Sequence, residues 1–478
     1  MVDEQNSEQR QPARRIAPAG SMREFLQVAF PLVISAGSFS LMTVVDRIFL
    51  ARLSLEALAA SMPAAMLSWT SMSLALGVAG YTNAFVSQYE GAGKKERVAS
   101  AIWQGLWVAL IGGISLLPMM FYAREIFAAM GHASDVQALE VQYFIWICPV
   151  AIPTLLNAVL SSFFAARKKT SVVMWVNVNT CLLNAVAAYV LIFGWGPITG
   201  LGMIGAAVAT VGAQSIGTVA LGYRLFRDGH REGYPFAATL GVDWDLLKRM
   251  VRYGVPNGTQ MLMDIGSFTL FIALVGKLGT NEQAATNLAF TLNSLAFVPM
   301  FGMGTAIVTL VGHRIGEGRP ELAKKTVWNA FALSGAYMIA FAITYLSVPD
   351  LFLLPFTHEA EAAAFHEVRP IVVVLLKFVA LYTFFDAMAI VFGSAIRGAG
   401  DTWFSLYFSV ACCWLLMVLP TRYAVQNGWG LNACWAAITV TVLVMGIGFL
   451  IRFQLGYWKK MKVIEAAGEA EPPMISVH

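Results

Sequence analysis

The chain reads as an all-α polytopic membrane protein, with twelve transmembrane helices in two pseudo-symmetric six-helix lobes. Three observations predict this. Apolar residues make up 58% of the 478 positions and charged residues only 13%, far from the balance of a soluble domain. Twelve apolar stretches between charged or Gly/Pro-rich breaks are long enough to span a bilayer, which takes about 20 residues each. The first half of the sequence also recurs in the second at an offset of 225 residues.

In order, the stretches run approximately over 25–50, 58–87, 101–123, 138–163, 171–193, 203–223, 251–276, 284–312, 327–348, 370–396, 402–424 and 431–451. The second is the plainest, since Ala57 to Tyr89 holds no charged residue; the fourth and tenth have softer edges. With both termini cytoplasmic, the cytoplasmic side holds 25 of the 32 Lys and Arg residues, the asymmetry expected of a membrane protein so oriented. The net charge of +4 therefore calls for no nucleic-acid partner. Residues 1–22 are polar and lack the apolar core of a signal peptide, so the first helix is expected to direct insertion into the plasma (inner) membrane. The resulting division is an N-tail at 1–22, an N-lobe at 23–229, a cytoplasmic linker at 230–250, a C-lobe at 251–455 and a C-tail at 456–478, acting as a monomer in the lipid bilayer.

The repeat is carried by particular residues. The offset pairs Pro31 with Pro256, Ala59-Ala60 with Ala284-Ala285, Gly77 with Gly302, Gly91 and Gly93 with Gly316 and Gly318, Glu96 with Glu321, and Trp103 with Trp328. In the loops, GAGKKERVASAIW returns as GEGRPELAKKTVW, and Arg167 in AARKKT is echoed by Arg397 in AIRGAGDT. Because each half holds six helices, an even number, the halves share an orientation and are related by an axis along the membrane normal, with a substrate cleft expected between them.

Three carboxylates stand alone inside apolar stretches: Asp46, Asp264 and Asp386. An Asp at a helix centre costs roughly 2.5–3.5 kcal/mol on insertion scales, so such residues face protein-lined cavities and handle ions, protons or substrate. They break the repeat, with Phe271 opposite Asp46, Phe39 opposite Asp264 and, when Arg167 and Arg397 are aligned, Leu156 opposite Asp386, which favours function over scaffold duty. Asp264 lies twelve residues from Arg252 and thirteen from Lys277, near the membrane midplane at helical rise.

The five cysteines, in or beside apolar spans and with no CxxC pair, read as small buried hydrophobes; the six histidines fall in loops, loop edges or the tail. Asn177, Cys181 and Asn184 recur at i, i+4, i+7 as one polar helical stripe, for which helix-to-helix hydrogen bonding is the plain alternative. Lys377 reads as a side chain extending toward the outer interface. Neither GAGKK nor GEGRP has the GxxxxGK[ST] spacing of an ATP-binding loop, so a primary pump is excluded.

Taken together, VDRIFLARLSLEALAA, FVSQYEGAG, LLNAVAAYVLIFGWGPITGLGMIGAAVAT and DAMAIVFGSAIRGAGDT resemble, in order, four stretches of the multidrug and toxic compound extrusion (MATE) family. The resemblance covers nearly all of residues 22–458. It implies a secondary multidrug exporter working by alternating access with H+ or Na+ as coupling ion and no other cofactor. It assigns Asp46 as the N-lobe coupling carboxylate with Asn184 and Thr210 around it, and Asp264 and Asp386 as NorM-like C-lobe acids that can hold Na+. Ala188 stands where many relatives have an acid or amide, which weakens an N-lobe sodium site and favours the C-lobe for one. Met66, Trp69, Asn177, Gln260, Phe290, Phe297, Phe301 and Phe385 are the cleft candidates for small-molecule drugs and lipophilic organic cations, held by dispersion and cation–π contact. A lipid-linked oligosaccharide flippase on the same scaffold is the alternative; it would want several basic residues in its cavity, whereas the candidate charges here are mainly acidic. An integral membrane transferase would need a clustered nucleophile or base that scattered midplane acids do not supply.

Overall fold

A computed structural model describes residues 17–131, 134–353 and 362–465. His132, His358 and His478 lie outside the described residues, as do most of the N-tail and the last part of the C-tail. Among the described residues, twelve helices are long and apolar enough to cross a membrane: α1 Met22–Leu53, α2 Leu55–Gly91, α3 Lys95–Met120, α4 Ser134–Ala166, α5 Thr170–Phe193, α6 Met203–Arg231, α7 Trp244–Val275, α8 Thr280–Gly316, α9 Pro320–Ser347, α10 Glu367–Ala399, α11 Thr402–Gln426 and α12 Gly430–Gln454. Most run past the apolar stretch that announces them. The polar turns at their ends stay helical, so α6 continues to Arg231 and α7 starts at Trp244, leaving 232–243 as the connection between lobes.

Local chemistry sets several of these ends. Ser21 caps α1 by accepting from the Glu24 amide at 3.1 Å, and Glu24 reaches back to the Gly20 amide at 2.7 Å, a variant of the capping box. Ser54 caps α2 and Asp243 caps α7 in the same way. Between α5 and α6, β1 (Gly194–Trp195) and β2 (Ile198–Thr199) form a minimal antiparallel hairpin. In α11, Cys413–Val418 is wound as a π-helix, a local widening often found at functional sites.

Helices α1–α6 pack on one another, as do α7–α12, and the two lobes meet through α1 against α8, α7 against α2, and the ends of α2 and α8. The repeated glycines explain this seam. A Cβ on Gly91 would overlap the backbone of His313, and a Cβ on Gly316 would overlap that of Gln88; the offset of 225 relates these two contacts to each other. Gly77 meets Gly258 and Gly302 meets Val33 in the same symmetric fashion. The second glycine of each loop serves a different purpose. Gly93 and Gly318, at φ 71° and 73°, take the left-handed turn that ends α2 and α8.

Beside this seam sit two ionic clusters, also related by the repeat, on the face that carries both described chain ends. Glu24 of α1 pairs with Arg314 of α8, both almost fully buried, and accepts a hydrogen bond from Lys168 at 2.7 Å. The equivalent positions are Arg249 and Tyr89, and there the N-lobe supplies no acid. The C-terminal segment brings one instead: Glu465 pairs with Arg249, pairs with Arg97 at 2.9 Å and accepts from the Tyr89 hydroxyl at 3.0 Å. The Val463 amide donates to Gln88 Oε1 at 3.0 Å, so this segment ties α2, α3 and α7 together.

Burial opposes the charge on Glu465, but a backbone hydrogen bond, Arg249 and Arg97 outweigh it and hold the carboxyl below its ordinary value of 4.5. A carboxyl lowered in the folded state adds stability that is complete above its unfolded value and lost as pH falls through the folded one. Glu465→Gln is therefore expected to cost about 1.5–3 kcal/mol at neutral pH, the worth of hydrogen bonds to a charged group. Thermal unfolding in detergent should show that deficit at pH 7 and a shrinking difference from the parent below pH of about 4.

Candidate ion site and inter-lobe cavity

Asp46 lies on α1 beyond Pro31, turned into the N-lobe and only 8% exposed. Its Oδ2 accepts from Thr210 Oγ1 of α6 at 3.1 Å, and the same hydroxyl oxygen lies 3.1 Å from Asn184 Nδ2 of α5, which donates to it. The three residues named from the sequence thus form one chain of hydrogen bonds across three helices. It is incomplete: Asp46 Oδ1 and Asn184 Oδ1 are buried with no hydrogen-bond partner among the described residues. Leaving a charged acceptor unsatisfied is costly, so the site has capacity for a bound cation or proton. Ala188, one turn beyond Asn184, is fully buried and adds no side-chain oxygen.

One turn away from this chain on α1, α5 and α6, Met42, Cys181 and Gln214 line a small cavity of about 90 Å³. Asn177 and Ser35 line it too, joined by a 2.6 Å hydrogen bond, and both also line a larger cavity of about 450 Å³ between the lobes. The stripe of α5 therefore runs from the inter-lobe cavity, through the small one, to the Asp46 site. The larger cavity takes its walls from α1, α2, α4 and α5 on one side and α7, α8 and α10 on the other.

The C-lobe acids have separate surroundings. Asp264 of α7 is half-buried and accepts from Cys413 Sγ at 3.8 Å, in the π-helical part of α11. Asp386 of α10, also half-buried, has no hydrogen bond or ion pair among the described residues. No hydrogen bond joins the two, and their helices pack on different neighbours: α7 on α2 and α11, α10 on α8, α9 and α12. Lys377 is exposed, as a side chain reaching for an interface would be.

Of the cleft candidates, Asn177, Phe297 and Phe301 line the larger cavity, the two rings meeting edge to face at 4.9 Å. The others are placed elsewhere. Gln260 is buried and donates to Ser409 Oγ at 2.9 Å, Phe290 stacks on Trp435 at 4.9 Å, and Phe385 packs against Phe384 at 5.7 Å. Trp69 packs against Phe39 at 5.6 Å, while Met66 is 46% exposed. The cavity lining also differs from the expectation of mainly acidic charge: it contains no carboxylate, and its charged residue is Arg397. Asp46 is drawn away by Thr210 and Asp264 engages Cys413, which leaves the lining to Ser, Thr and Asn side chains, apolar groups and that arginine.

Sequence reasoning passed over Ser35, Asn83, Asn257, Ser394 and Arg397 as lining residues. For Arg397 a signal existed, its echo of Arg167 in the repeat. The two residues diverge in role, since Arg167 pairs with Glu232 while Arg397 faces the cavity.

Comparison with known proteins places this arrangement. The MatE family profile matches residues 31–190 and 256–423. A probable multidrug resistance protein NorM of Bradyrhizobium diazoefficiens is 26% identical over 437 residues, covering 90% of this chain and 93% of the relative. One from Pseudomonas syringae pv. tomato is 26% identical over 455 residues, covering 94% and 97%. Among solved structures, a MOP superfamily transporter from Pyrococcus furiosus superposes with a TM-score of 0.83 at 21% identity, over 92% of this chain and 97% of that one. An outward-facing multidrug resistance MATE family transporter gives the same TM-score of 0.83, identity of 21% and coverage of 92% and 97%. At that identity the structures speak to the fold alone.

Proposed function

Because the chain belongs to the MatE family of membrane transporters, we propose that it exports structurally varied lipophilic compounds, organic cations among them, from the cytoplasm by alternating access. Inward flow of H+ or Na+ across the inner membrane drives the cycle. The observation that carries this reading is the Asp46–Thr210–Asn184 chain with its two orphaned oxygens, linked by the α5 stripe to a cavity at the lobe seam. A coupling ion bound beside that stripe can alter the same helices that wall the cavity. The relatives' names as probable multidrug resistance proteins support a broad cargo range.

The donors present suit either ion. A proton needs one basic oxygen, which Asp46 offers; sodium would draw on both Asp46 oxygens with Asn184 and Thr210. At the C-lobe, an ion shared by Asp264 and Asp386 would have to bridge α7 and α10, which pack on different neighbours. Lipid-linked oligosaccharide flipping fits less well, because the cavity lining offers one basic residue rather than several.

Expression in an efflux-deficient cell should lower the accumulation of a dye such as ethidium; an unchanged level across a broad panel of compounds would sink the export reading. Proteoliposomes given a Na+ gradient at matched pH, then a pH gradient without Na+, identify the coupling ion by which arm moves the dye.

A further inference from the structure

Six of the seven arginines that are not exposed among the described residues have a carboxylate partner, from Arg97 with Asp243 to Arg452 with Asp401. Arg397 is the exception. It sits at the end of α10 with its side chain half-buried, and its one described side-chain hydrogen bond runs from Nη2 to Ser394 Oγ at 3.2 Å. Asp264 on α7, whose described hydrogen bond is with Cys413, makes no ion pair with it. A guanidinium has five N–H donors and keeps its charge, so one withdrawn from bulk water without an ion-pair partner carries a standing cost. At the other six arginines that cost is met by a carboxylate from the fold itself.

Arg397 and Ser394 both line the inter-lobe cavity, whose other polar walls are neutral amides and hydroxyls such as Asn83, Asn177 and Asn257. Phe297 and Phe301 of α8 add an apolar, aromatic surface to the same lining. We propose that Arg397 is the cargo-selecting cation of the cavity, which recognises an anionic group, a carboxylate, sulfonate or phosphate, on an amphiphile whose apolar part lies against Phe297 and Phe301. This deepens the export reading and rests on it for the cavity's role. The anionic group can belong to a free amphiphile or to a lipid headgroup; the guanidinium recognises the same oxygens in either.

Binding to purified protein in nanodiscs, without any gradient, tests the inference with three fluorescent probes: anionic 8-anilinonaphthalene-1-sulfonate, uncharged N-phenyl-1-naphthylamine and cationic ethidium. Arg397→Gln should weaken the anionic probe by about 10- to 100-fold, as loss of a charge-assisted contact implies, and leave the other two within about 2-fold. Ser394→Asp should do the same with the arginine in place, because the new carboxylate satisfies the guanidinium internally; it also serves if Arg397→Gln does not fold by size exclusion. An equal loss for all three probes, or none for the anionic one, overturns the proposal. Nanodiscs containing phosphatidylglycerol separate the sources: competition with the anionic probe in the parent but not in the variants assigns the group to a lipid headgroup, and no competition assigns it to free cargo. Charge-dependent binding in a protein that exports no dye would count against the export reading alone, and export with charge-blind binding against this inference alone.

Discussion

Asp46→Asn is expected to reduce gradient-driven export to the level of protein-free liposomes while leaving the protein folded. The substitution keeps the shape and preserves an acceptor for the Thr210 hydroxyl, now 3.1 Å from Oδ2. The amide it introduces can find an acceptor in Asn184 Oδ1, which is buried and has no partner among the described residues. Stability should therefore change by about 1 kcal/mol or less, the net worth of one hydrogen bond. What the amide cannot do is release a proton or hold a cation with a full negative charge. Export retained under either ion gradient would remove Asp46 from the coupling mechanism. Thr210→Val and Asn184→Ala make a graded control, since each takes one partner from the same chain and leaves the carboxylate.

A second large effect is expected at the lobe seam. Gly91→Ala and Gly316→Ala each drive a methyl group into the backbone of the opposite lobe, where no side-chain rotation can relieve the overlap. Overpacking of this kind typically costs about 1–3 kcal/mol. The strain exists only while α2 and α8 touch, so it should act on the conformational equilibrium and favour states in which this face is open. That penalty corresponds to a shift of roughly 5- to 150-fold in the ratio of the two states. All five native cysteines are buried, so a Ser394→Cys reporter on the cavity wall can be followed against a low background. Labelling by an impermeant maleimide from the face with the chain ends should be slow in the parent and fast in either glycine variant. Equal rates would mean that the seam is not the closed gate of this face.

Gly93→Ala is the informative contrast. Nothing lies within 4 Å of a Cβ there, and its φ of 71° strains the turn that ends α2 rather than the seam. It should lower stability without opening the face to the label.

These glycines also show how far the sequence could be read. The GAG and GEG loops stood out as repeat identities, and the structure gives each glycine its reason, one for close approach and one for a left-handed turn. Nothing in the sequence separates those two purposes, because a repeat records that a residue is kept and not what it touches. The Asn177–Asn184 stripe was visible because helical periodicity is a local property. Its destination, Thr210 and then Asp46, joins α1, α5 and α6, and the resemblance to the MATE family pointed there before periodicity could.

The sequence by itself determined the membrane class, the twelve spans and the two lobes, since all three follow from apolar run length and self-similarity. Only the tertiary structure decided which charges meet. Glu465, some 216 residues from Arg249, supplies the acid that the repeat leaves out, and Arg397 is left facing a cavity with no carboxylate. Hydropathy treats every charged residue on a loop or helix end alike, whereas pairing depends on distances of a few ångströms set by packing between helices far apart in the chain.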